Sequence, residues 1–60
     1  MNSVEAVVTK VLDVLAYRHF WITRVEIFSE GGYRNINLTT YSERDARAIQ
    51  QGDTVSVWAG

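Results

Sequence analysis

EGGYRNINLTTYSERDARAIQQGDTVSVW, residues 30–58, is the stretch whose reading decides the fold. It divides into turn, strand, capped helix, turn and strand. Gly31-Gly32 suits a two-residue hairpin turn. That turn needs positive φ at both central residues, which glycine adopts without a Cβ clash. The pairing that follows sets Ile27 opposite Ile36, Val25 opposite Leu38 and Thr23 opposite Thr40. On the other face Phe28 meets Asn35, Glu26 meets Asn37, Arg24 meets Thr39 and Ile22 meets Tyr41. One face is then aliphatic and the other polar with aromatic rings. A one-residue slip would scramble that sorting.

Ser42–Gln51 is predicted as a short helix. Ser42 caps its free N–H groups, and Asp45 reaches back as in a capping box. Tyr41 packs on Ala46 as a staple. Glu43 and Arg47 stand i,i+4 in the favourable order. Ala46 and Ile49 form its only apolar stripe, so it lies on an edge or seals a barrel end. Gly52 ends the helix and Asp53 turns the chain. In Thr54–Trp58, Val55 and Val57 alternate with polar residues, the pattern of a half-buried strand.

Upstream, Phe20–Phe28 is aromatic and β-branched, with Trp21, Thr23, Val25 and Ile27 on the aliphatic face. Val4–Leu15 reads two ways. As a helix, Val4, Val7, Val8, Val11, Leu12 and Leu15 fall on one stripe, Ser3 caps it, and only Val14 breaks the pattern. As a strand, alternation fails around Thr9-Lys10 and demands a bulge there. Tyr17-Arg18-His19 connects this segment to the next without the usual turn residues.

The chain has 60 residues, no cysteine, one histidine and a formal net charge of −1. It is expected to form a single domain over 1–60, with a core small enough that self-association would help it. A disulfide framework and a thiolate zinc site are excluded. No apolar run reaches membrane-spanning length and the first residues do not read as a secretion signal, so a cytoplasmic location is expected. Six bases against seven acids disfavour strong duplex binding.

Order and spacing resemble small OB-like barrels. Val4–Val11 is similar to their first strand, with Ala6 where glycine is common. Val25, Ile27, Gly31-Gly32, Ile36, Ser42, Ala46, Ile49, Gly52-Asp53, Val55 and Val57 resemble their hairpin, helix and closing strand. The terminal block also resembles TOBE and molybdate-binding-like domains. The resemblance implies a mostly β fold with one short helix, an OB-like barrel whose last strand is missing or supplied by another subunit. It makes the first segment a strand. The alternative is an α+β domain of order α-β-β-α-β. Trp58-Ala59-Gly60 stands where molybdate-binding relatives continue into a lysine-containing loop, which counts against oxyanion binding.

The expected function is a small non-enzymatic binding module. Arg24, Phe28, Tyr33, Asn35, Asn37 and Tyr41, with Arg34 on the rim, offer rings and amides on an open sheet, a pattern suited to single-stranded nucleic acid. The same residues, with Trp21 and Trp58 as interface anchors, suit another protein or further copies of this chain in a homo-oligomer. An oxyanion-binding barrel is the third reading. No catalytic residue, metal site or cofactor is expected. Glu26, Glu30 and Glu43 are scattered, and His19 has no nucleophile beside it in sequence. Ser42 at the helix start serves as a cap rather than an anion holder.

Overall fold

A computed structural model describes residues 3–58. The expected departure from the molybdate-binding pattern at Ala59-Gly60 lies outside them. The elements are β1 (Ser3–Ala16), β2 (Trp21–Ser29), β3 (Gly32–Thr40), α1 (Glu43–Ala48) and β4 (Thr54–Trp58). The four strands form one antiparallel sheet of order β3-β2-β1-β4, curled into a half-barrel. The fold is mostly β with one short helix, as the sequence led us to expect.

The first segment is a strand, and the α-β-β-α-β alternative is set aside. Its pairing with β2 slips between Val8 and Lys10 and again between Val11 and Asp13. The first slip is the bulge expected at Thr9-Lys10, and the second is a bulge at Leu12. Each bulge adds one residue against the partner and turns a step of two into a step of three. Val8, Val11 and Val14 therefore stand opposite Ile27, Val25 and Thr23. The bulges thus break the strict two-residue alternation that a flat strand would show.

The β2–β3 hairpin corrects the expected register. Val25 pairs with Ile36, Thr23 with Leu38, Trp21 with Thr40, Ile27 with Arg34 and Phe28 with Tyr33. The loop is Glu30-Gly31, because Ser29 already pairs with Gly32. Of Gly31 and Gly32, Gly32 alone takes positive φ, +100°. A left-handed glycine directly after the loop replaces the mirror-image turn expected at Gly31-Gly32. The shift is two residues, so every side chain keeps its predicted face.

The core lies on the inner face of the curl. Ala6, Val8, Val25, Ile27 and Val57 are buried, with Val4, Ile36, Leu38, Ile49 and Val55 packed against them. The backbone of Val8 is tied on its second side as well. Its N–H donates to the Asp53 carbonyl, and its carbonyl accepts from Gly52 N, both at 2.8 Å.

Helix α1 is shorter than the expected Ser42–Gln51. Ile49 already has extended backbone, and Gly52 (φ +97°) belongs to the turn that follows. Ser42 Oγ accepts from Asp45 N at 3.1 Å, the first half of the capping box. Arg47 Nε donates to Glu43 at 3.0 Å. Tyr41 does not staple the helix: it is 78% exposed while Ala46 is fully buried. The Thr23 hydroxyl instead pins α1 to the inner face by donating to the Ala46 carbonyl at 3.0 Å. Because α1 follows Thr40, it sits at the end of the half-barrel away from the Glu30-Gly31 loop.

Candidate functional site

Strand alternation presents Ile22, Arg24, Glu26 and Phe28 of β2 on the outer face. Their partners there are Thr39, Asn37, Asn35 and Tyr33. β1 adds Val7 opposite Phe28, Lys10 opposite Glu26, Asp13 opposite Arg24 and Leu15 opposite Ile22.

At the loop end of this face, Val7, Phe28 and Tyr33 stand in a row across three strands. They are 43%, 47% and 68% exposed. The Phe28 and Tyr33 rings lie 4.9 Å apart between centroids, tilted by 57°. A tilted arrangement at this distance is favourable for two ring quadrupoles, and it fixes both rings as one apolar surface.

The charges on the face alternate in sign. Arg24 lies 3.9 Å from Asp13, both half-exposed. The Thr9 hydroxyl, at the first bulge, lies 2.8 Å from a Glu26 carboxylate oxygen and 3.1 Å from the Glu26 carbonyl. That contact steadies a negative charge in the middle of the face, which leaves no basic track.

The predicted site residues thus separate. Arg24, Phe28, Tyr33, Asn35 and Asn37 share the outer face. Tyr41 follows β3 at its far end, ~27 Å from Tyr33 at the usual strand rise. Arg34 points the other way and donates to the Trp58 carbonyl at 3.2 Å. Trp21 is half-buried on the inner side, and Trp58 is largely exposed. Val7 was missed by sequence reasoning. Placing it opposite Phe28 required knowing that β1 is a strand and where its bulge falls.

Two grooves flank Arg34. One, of about 330 Å³, opens at the loop end between Val4, Glu30, Tyr33 and Trp58. The other, of about 400 Å³, runs between the edges of β3 and β4, lined by Ile36, Leu38, Ser56 and Val57. His19 is exposed in the β1–β2 corner, beside the stacked Tyr17 and Phe20 rings. Among the described residues, no three His, Cys, Asp or Glu side chains gather as a metal would need, and no helix is long and apolar enough to cross a membrane.

Compared with known proteins, the chain matches no family model, no curated relative and no solved structure.

Proposed function

We propose that this chain is a small non-enzymatic protein-binding module that works through the outer face of its sheet. The row of Val7, Phe28 and Tyr33 carries this reading. It is apolar, continuous across three strands and open to solvent. Protein interfaces concentrate their energy on such aromatic groups, and a contiguous exposed apolar patch on a small domain marks a contact site. Asn35 and Asn37 beside the row supply the polar rim that fixes orientation.

The resemblance to OB-like barrels supports a second reading, single-stranded nucleic acid stacked on Phe28 and Tyr33. Its weakness is electrostatic. Lys10 and Arg24 on this face each stand opposite a carboxylate, Glu26 and Asp13, so few cations are free to release counterions from phosphate. Oxyanion binding has still less support, since among the described residues Arg34 is the one cationic side chain lining either groove.

A photoreactive phenylalanine analogue at Tyr33, irradiated in the cells that make the protein, tests the reading. The expected product is a covalent adduct that protease destroys and nuclease leaves intact, and that Phe28→Ala reduces severalfold. A nuclease-sensitive adduct, or none at all, overturns it.

A further inference from the structure

Three stretches of strand edge have no β-partner among the described residues, and they differ. β4 is five residues long. The far half of β1, Thr9–Ala16, is bulged twice and carries Lys10 and Asp13. Shortness, bulges and charges are the devices that keep an edge from pairing with another chain. β3 is neither short nor bulged, and Arg34 is its single charge. It runs for nine residues in unbroken register and contains neither proline nor lysine. Two of its inner side chains, Ile36 and Leu38, are half-buried and border the open groove toward β4.

We infer that β3 is a docking edge for a second copy of this chain, paired β3 to β3 in antiparallel fashion across a twofold axis. The occupant follows from the self-complementarity of the strand. Centred on Ile36, such pairing sets Ile36 against Ile36, Arg34 against Leu38, Asn35 against Asn37 and Tyr33 against Thr39. Ile36 meets its own copy on the inner face, the Arg34 stem lies along Leu38, and the amides meet on the outer face. Arg34, the only charge in β3, does not meet its own copy. A twofold interface requires this kind of match between a surface and itself. A net charge of −1 offers little repulsion between copies.

The Arg34 bond to the Trp58 carbonyl crosses the groove in solvent. It acts as a latch that an incoming strand displaces, exchanging one exposed contact for a ladder of backbone bonds. None of this depends on what the outer face binds.

Sedimentation of the full chain at micromolar concentration is expected to show a dimer. Asn35→Lys with Asn37→Lys sets lysine against lysine across the axis. It should weaken dimerisation by about tenfold, because like charges directly opposite on paired strands repel. Both positions are exposed, so the unfolding midpoint measured at concentrations where both proteins are monomeric should hold. Mixing that variant with Asn35→Glu plus Asn37→Glu should restore a dimer as a heterodimer. A monomer at every concentration overturns the inference. So does a dimer that withstands the lysine pair and is lost in Phe28→Ala, because the outer face would then be the self-contact.

Discussion

β1 carries two aliphatic stretches of similar composition, Val4–Val8 and Val11–Leu15, that end in different surroundings. Ala6 and Val8 are buried, whereas Val11, Leu12 and Leu15 are about two-fifths exposed. The first stretch pairs with β4, and the Gly52-Asp53 turn closes over Val8. The second has β2 on one side and, among the described residues, no strand on the other. Hydrophobicity qualifies a residue for burial, but the number of elements around it decides.

The most severe way to break this comparison is to place the same charge in each half. Val8→Asp sets a carboxylate among Ala6, Val25, Ile27 and Val57 with no partner. It is expected to cost about 4 kcal/mol or more, enough to leave a small domain largely unfolded in dilute buffer by circular dichroism. Leu15→Asp should lower the unfolding free energy from urea titration by about 0.5 kcal/mol or less, because its side chain already meets water. Equal losses in the two variants would mean that the far half of β1 is covered.

A smaller effect sharpens the role of the helix, which closes the core on the side that β1 does not. Thr23→Val removes the hydroxyl that holds the Ala46 carbonyl. It leaves that buried carbonyl unsatisfied at a cost of about 1–3 kcal/mol. Amide exchange should quicken across Glu43–Ala48 before it does in β2. If β2 opens first, α1 is not held by this bond. Smaller again, Ser42→Ala removes the acceptor of Asp45 N and should lower the unfolding free energy by about 1 kcal/mol in urea titration. No change at all would show the cap to be redundant in so short a helix.

The candidate surface was legible in part. Alternation along β2 and β3 placed Phe28, Tyr33, Asn35, Asn37 and Arg24 together, and a two-residue register shift left that grouping intact because side chains alternate with a period of two. Which residues face one another across the hairpin was not legible. Gly31 and Gly32 are equally able to turn the chain, and only the fold selects Gly32 for the left-handed position. The length of the helix, the second bulge at Leu12 and the exposure of Tyr41 were hidden for a related reason. Each depends on what lies across space rather than along the chain.

The chain by itself determined where the hairpin reverses to within a residue or so, where the helix is capped, and which side chains of the hairpin share a face, since these follow from local conformational preference and the pleat of the backbone. Only the tertiary structure decided which of two matching valine-rich stretches is buried, which glycine turns the hairpin, and that β3 is left as a long unbroken edge. Burial and pairing are set by neighbours distant in sequence, and no local pattern contains them.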